Sequence, residues 1–207
     1  MSFAARLLLL LAFLLVSGLV DRLRHGREAR RPREYAWLLM VGGLGALFGL
    51  AVDQVTSRLS PEYFTVGKGL DPGPGFAQAV LLLSLQAGLV GGLVVGGALL
   101  LCAQPRADRP GLPLGDLLRA ALRVPLCAVV AAPVGAALAR AWDPLGLEAE
   151  LHGLVDDPQR RARFVLVWGA HAGVYAGALL GTVWSGLRVA RRLRPADAGP
   201  APPPAPR

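Results

Sequence analysis

Residues 76–103 read FAQAVLLLSLQAGLVGGLVVGGALLLCA, without one charged side chain. At 1.5 Å per residue a helix over this stretch is about 40 Å long, and bilayer hydrocarbon is about 30 Å thick. The stretch predicts a membrane-spanning helix. Four further apolar runs accompany it: Phe3 to Val20, Tyr35 to Ser57, Asp116 to Trp142 and Phe164 to Val189. The whole chain is 54% hydrophobic and only 17% charged, with a mean hydropathy of +0.47, where soluble domains are about a quarter charged. The expected class is all-α: a transmembrane bundle of five helices.

The net charge of +8 would suggest nucleic-acid binding in a soluble chain. Here the arginines cluster at the ends of the apolar runs, and no basic stripe interleaves with aromatics. Nucleic acid is therefore excluded as a partner, and the bilayer is the expected one. Cys102 and Cys127 belong to no CxxC or Cys/His cluster, so they read as small buried apolar side chains.

The first run resembles a signal peptide, with Arg6 ahead of the leucines and Val16-Ser17-Gly18 as a cleavage site. But Arg22, Arg24, Arg27, Arg30, Arg31 and Arg33 follow at once. Exporting that block opposes the positive-inside rule, so residues 1–20 are expected to remain as a peripheral signal-anchor helix. With the basic loop 21–34 inside, loop 104–115 and the tail 191–207 also fall inside and, with the helix ends that adjoin them, hold Arg106, Arg109, Arg119, Arg123, Arg188, Arg191, Arg192, Arg194 and Arg207, most of the other arginines. The N-terminus is then outside and the C-terminus cytoplasmic. The tail, ending PADAGPAPPPAPR, is expected to be extended and solvated.

The remaining chain divides into two hairpins, 35–103 with outer loop 58–75 and 116–190 with outer loop 143–163. They look like copies. Gln86-Ala87-Gly88-Leu89-Val90-Gly91-Gly92 matches His171-Ala172-Gly173-Val174-Tyr175-Ala176-Gly177 at an offset of 85 residues. Gly45 to Asp53 matches Gly135 to Asp143 at an offset of 90. Both hairpins begin inside, so the expected repeat is parallel, about an axis along the membrane normal.

Ser84, Gly88, Gly92 and Gly96 share one helix face, as do Gly169, Gly173, Gly177 and Gly181, continued by Ser185. Such faces let helices approach closely in lipid. The leading expectation is ordinary close packing within the monomer, with the two glycine faces meeting across the repeat axis; the alternative is a glycine-lined pore or a seam with a second copy or another membrane protein.

Ionisable and amide side chains within spans are costly. Asp53 and Gln54 lie near the outer end of their run, Gln86 at mid-depth, and His171 about two turns below the outer end of the last run. Asp53 shares its face with Gly49, Ala46 and Gly42. His171 shares its face with Trp168 and Tyr175, opposite the glycines. Asp53 and His171 are expected at similar depth, where a carboxylate beside an imidazole makes a proton-sensitive pair. The plainer reading is an interhelical hydrogen bond.

In the first outer loop, Ser60-Pro61-Glu62-Tyr63-Phe64 has the order of a helix start, with Tyr63 and Phe64 suited to the membrane–water interface. Gly67-Lys68-Gly69 lacks the spacing of a phosphate loop. In the second, Leu147, Leu151 and Leu154 predict an interfacial helix. Asp157 predicts a cap for the next helix, with Arg160, Arg161 and Arg163 at headgroup level. Arg140 is expected to pair with Asp143. Glu148 and His152 have metal-ligand spacing, but two ligands do not make a site. No metal and no cofactor is expected.

Asp53-Gln54, the Ser60–Phe64 box, and His171 with Tyr175 four residues on together resemble a group of bacterial multi-pass inner-membrane proteins. The resemblance covers the hairpin core; it implies an inner-membrane location and supplies no activity. No GxSxG, HExxH or other catalytic signature is present, so an enzyme is not expected. The leading expectation is a non-enzymatic structural or accessory bundle. The second is a small transporter or channel using Asp53, Gln86 and His171.

Overall fold

The computed structural model describes residues 3–104, 114–143 and 145–193. The tail after residue 193 and most of loop 104–115 lie outside the described residues. Helices account for nearly everything described: α1 Phe3–His25, α2 Arg31–Leu59, α3 Pro61–Thr65, α4 Phe76–Ala103, α5 Leu114–Trp142, α6 Leu147–Glu150 and α7 Pro158–Arg192, with a single 3-10 turn at Gly26–Glu28. Four of them, α2, α4, α5 and α7, are long and apolar enough to cross a membrane. α1 runs on past Val20 into the charged turn of Asp21, Arg22, Arg24 and His25 and does not count among the four.

The helix starts are built from local polar groups. Pro32 sits in the first turn of α2, and the carboxylate that caps this turn comes from α1: Asp21 Oδ2 accepts from the Arg31 amide at 3.0 Å. Ser60 caps α3 through the Tyr63 amide, with Pro61 in its first turn. Asp157 caps α7 through the Gln159 amide at 2.8 Å. α5 continues through Pro125 and Pro133, which a membrane helix tolerates where neighbouring helices cover the freed carbonyls.

α2 packs along α4, and α5 along α7. The glycine faces lie inside these hairpins. A Cβ on Gly49 would lie 2.8 Å from the Ser84 carbonyl and 3.1 Å from Gly88 Cα. Gly135 sits the same way on the Gly169 carbonyl and Gly173 Cα. Gly92 rests on Val41 and Gly42, and Gly177 on Cys127 and Ala128. Gly96 faces Val41 and Leu38, and Gly181 faces Cys127 and Val124. Each glycine face is thus packed closely within the monomer, as favoured, but against its own hairpin partner; the two faces do not meet each other across an axis. Close backbone contact needs a bare Cα on at least one side, and the adjacent helix of each hairpin supplies the other.

The glycine contacts of the two hairpins overlay when α4 is set on α7 at 85 residues and α2 on α5 at 86, with Gly49 on Gly135 and Val41 on Cys127. This differs from an offset of 90 by one helical turn and sets Asp53 at the place of Ala139. Asp143 is occupied otherwise, accepting from the Leu147 and Glu148 amides at 2.9 Å each, in place of the expected pairing with Arg140.

Two apolar clusters hold the hairpins together. One, toward the α1 end, joins Trp37, Val41, Leu99, Leu117, Ala120 and Val189. The other, toward the α3 end, joins Phe64, Val80, Ala139, Leu151, Phe164 and Val167. Between them lies a cavity of about 170 Å³ bounded by all four long helices. Cys102 is exposed and Cys127 half-buried, so neither is the fully buried apolar group expected.

Candidate functional site

The site stands at the α3 end, where α2, α4 and α7 converge under α3. Asp53 lies on the small-residue face of α2 and reaches two helices at once. Its Oδ1 is 2.9 Å from His171 Nε2 on α7. Its Oδ2 accepts from Ser84 Oγ on α4 at 2.8 Å. The Asp53 and His171 side chains are 12% and 8% exposed, so the pair is withdrawn from solvent and lipid alike.

Proton bookkeeping follows from these distances. His171 Nδ1 lies 3.0 Å from the Val167 carbonyl. A carbonyl only accepts, so Nδ1 carries hydrogen. A single further proton must then sit between Nε2 and Asp53 Oδ1, since two lone pairs would repel at 2.9 Å. Whichever atom holds it, the pair is net neutral, which suits a low-dielectric site. Ser84 has one hydrogen for two acceptors, Asp53 Oδ2 and the Val80 carbonyl at 2.6 Å.

This is not a nucleophile–base arrangement. Ser84 bonds the carboxylate and not the imidazole, and both imidazole nitrogens are engaged. An activated serine needs its hydroxyl on a free ring nitrogen.

The Ser60–Phe64 box forms the roof. Tyr63 stacks on the His171 ring, with centroids 4.6 Å apart and planes inclined by 28°. Phe64 and Phe164 meet the Tyr63 ring edge-on, with centroids 5.2 and 5.6 Å from it. Phe64 is completely buried and Tyr63 nearly so. Both were expected at the membrane–water interface; the aromatic walls supplied by His171 and Phe164 draw them inward instead. Burial pushes the Tyr63 phenol up from its ordinary range, helped by Tyr175 and by the nearby Asp53 charge. Glu62 Oε2 accepts from Ser60 Oγ at 3.1 Å, and Glu62 Oε1 lies 3.5 Å from Arg160 on α7. Each of the five residues thus caps, anchors or plugs.

Tyr175 is half-exposed, with its ring centroid 6.5 Å from that of His171. Gln54 and Gln86 do not join the site: both are half-buried, and neither hydrogen-bonds through its side chain among the described residues. In the packing register Gln86 corresponds to His171, but its own α5 counterpart to Asp53 is Ala139, which offers no polar atom. Ser84 was read only as one more small residue in the glycine stripe. Its signal was its place four residues before Gly88, on the face that meets α2, where Asp53 also points.

The second loop departs further from expectation. α6 is a single turn, Leu147–Glu150, preceded by Gly146 with φ 65° and followed by Gly153 with φ 123°. Leu151 turns into the core and does not lie on an interface. Arg161 is buried and donates to the Val155 and Asp156 carbonyls at 2.8 and 3.0 Å. Among the described residues, no group of His, Cys, Asp or Glu has a metal-binding arrangement.

No family model matches the chain, and no significant similarity to a characterised protein or a solved structure is found.

Proposed function

We propose that the chain is a non-enzymatic accessory bundle of a bacterial inner membrane, in which Asp53 and His171 clasp two repeated hairpins at their outer end. One observation carries this reading. Among the described residues, the polar side-chain links between the hairpins are His171 to Asp53 and Arg160 to Glu62, both under or on the α3 roof. Every nitrogen and oxygen of the Asp53–His171–Ser84 group has a partner within the protein. A sealed, fully bonded group fixes helices in place.

Several finer elements belong to the same reading. Arginine placement puts the α3 end outside and both termini on opposite faces, N-terminus out and C-terminus in. α1 serves as a fifth, peripheral span. The matched glycine contacts support a parallel repeat with offsets of 86 and 85 residues. The resemblance at Asp53-Gln54, the Ser60–Phe64 box, and His171 with Tyr175 supports the bacterial inner membrane.

The test uses a variant with Cys102 and Cys127 replaced by Ala and Val167→Cys added, in membrane vesicles of known orientation; Val167 is completely buried in the cluster that holds Tyr63 and Phe64. A membrane-impermeant thiol reagent applied outside should leave Cys at 167 unlabelled until Tyr63→Ala removes the roof. Ready labelling with the roof intact overturns the clasp.

A second reading, a small proton-handling transporter, rests on the Ser84 hydroxyl. A second proton arriving on Asp53 Oδ2 finds an acceptor in Ser84 Oγ, whose own hydrogen turns to Val80. Proteoliposomes with a trapped pH dye separate the readings. Proton uptake abolished by Asp53→Asn favours transport; its absence in the wild type favours the clasp.

A further inference from the structure

The cavity lies between the two apolar clusters, reaching Val41 and Ala121 of the one toward α1 and ending at Asp53 and Tyr175 toward the other. On α2 its wall runs from Val41 to Asp53, about 18 Å along the helix axis at 1.5 Å per residue. Of the lining side chains only Asp53 and Tyr175 carry polar atoms, and both sit at the α3 end. The rest of the wall is Gly, Ala, Val, Leu, Phe and Pro.

Three occupants are excluded by these dimensions and this chemistry. Water needs two to four polar partners, and Asp53 already spends its oxygens on His171 and Ser84. A partner helix is about 10 Å across with its side chains, and a volume of about 170 Å³ cannot hold even two turns of one. A polar solute would meet an apolar wall along the length of the slot. An empty slot is disfavoured too, since its lining forfeits dispersion contacts on one side. Apolar cavities of about 150 Å³ in soluble proteins take up small hydrocarbons such as benzene.

The four helices that bound the slot are those long and apolar enough to span a membrane, so the medium at this depth is lipid hydrocarbon. The slot is elongated along the helices, as acyl chains are in a bilayer. Several of its wall residues, among them Ala87, Gly91 and Leu122, are exposed, so the slot is reached sideways from the lipid.

We propose that this slot holds one acyl chain of a bilayer phospholipid, inserted between the hairpins with its end below the Asp53–Tyr175 rim. The chain fills the gap that the two end clusters leave and becomes part of the packed bundle. The proposal needs only the membrane location, and stands whether the bundle is an accessory protein or a transporter.

Gly91 supplies the test. A Cβ there meets nothing within 4 Å, so a larger side chain grows into the slot without striking backbone. Gly97, one and a half turns further along α4, is equally free of neighbours but does not line the slot. Wild type, Gly91→Leu and Gly97→Leu are purified in mild detergent from bilayers of phosphatidylethanolamine and phosphatidylglycerol and examined by native mass spectrometry. The wild type and Gly97→Leu should each retain one phospholipid per chain through activation that strips loosely bound lipid. Gly91→Leu should lose it, while keeping wild-type helicity. Delipidation should lower the melting temperature of the wild type and leave that of Gly91→Leu unchanged. Equal retention by wild type and Gly91→Leu, no retained lipid in the wild type, or a co-purifying protein or second copy displaced by Gly91→Leu would each overturn the proposal.

Discussion

Replacing Asp53 by Ala, alone and with His171→Ala, measures the clasp directly. Asp53→Ala strips His171 Nε2 of its partner and leaves Ser84 only the Val80 carbonyl. Both side chains are about nine-tenths buried. Breaking a buried ion pair from one side costs about 3–5 kcal/mol. A neutral interhelical hydrogen bond inside a membrane is worth much less, about 0.6 kcal/mol on average. The coupling energy of the double-mutant cycle therefore reports where the shared proton resides. A coupling near 2–3 kcal/mol identifies carboxylate and imidazolium, and one below about 1 kcal/mol identifies carboxylic acid and imidazole. Asp53→Asn is the informative control. Its amide donates to the bare Nε2 of a neutral His171, and its carbonyl accepts from Ser84. It should lose about 1–2 kcal/mol, the difference between charged and neutral hydrogen bonds. The assay is reversible unfolding in mixed micelles, followed by far-ultraviolet circular dichroism. Strictly additive effects of Asp53→Ala and His171→Ala would refute the clasp, because two residues in a shared bond cannot be independent.

Three further outcomes are expected. Tyr63 holds its proton more tightly folded than unfolded, where its pKa is about 10; its contribution is thus complete below pH 10 and lost as pH climbs through the raised folded value. Tyr63→Phe should flatten that alkaline loss in a pH series of melting temperatures, and an unchanged series would contradict it. Gly88→Ala should destabilise by about 1–3 kcal/mol by overpacking against the Gly45 and Ala46 backbone, whereas Gly91→Ala, into open space, should be neutral or gain about 0.4–1 kcal/mol; equal effects in an unfolding titration would deny the close approach. Asp21 is held below the usual carboxylate range first by the Arg31 amide, against a smaller opposing push from burial. Its contribution is present above the unfolded carboxylate pKa and lost as pH falls through the lower folded value, so Asp21→Asn should speed hydrogen exchange in the first turn of α2 at neutral pH and make no difference under strong acid.

The spans were legible because lipid leaves a long apolar run few alternatives, and 76–103 came through with both ends intact. The start of α7 at Pro158, ahead of the apolar stretch at Phe164, was legible as well, from Asp157 as its cap. That Arg161 would find carbonyls inside the fold was not. The facing of Asp53 and His171 followed from helical periodicity, but their contact needed the hairpins to be placed side by side, which periodicity within one helix does not determine. Gln86 looked equivalent to His171 and is so in register; what it lacks is a carboxylate at position 139. The glycine stripes were visible, but not their partners, since any helix with small residues could have filled them. Tyr63 and Phe64 were misplaced because an aromatic pair beside a span suits an interface and a roof equally well, and only the His171 ring beneath them decides.

Among the described residues, the polar side-chain links between the hairpins stand at one end of the molecule, while at the α1 end Trp37, Leu99, Leu117 and Val189 pack by apolar contact beside the chain's own connection from α4 to α5. Hydrocarbon competes with apolar packing and leaves a buried hydrogen bond largely untouched. Detergent or thinner lipid should accordingly part the hairpins at the Trp37 end first, with Asp53 and His171 acting as the pivot. The bundle is in this respect a pair of tweezers, pinned at the roof and sprung by the solvent around its tips.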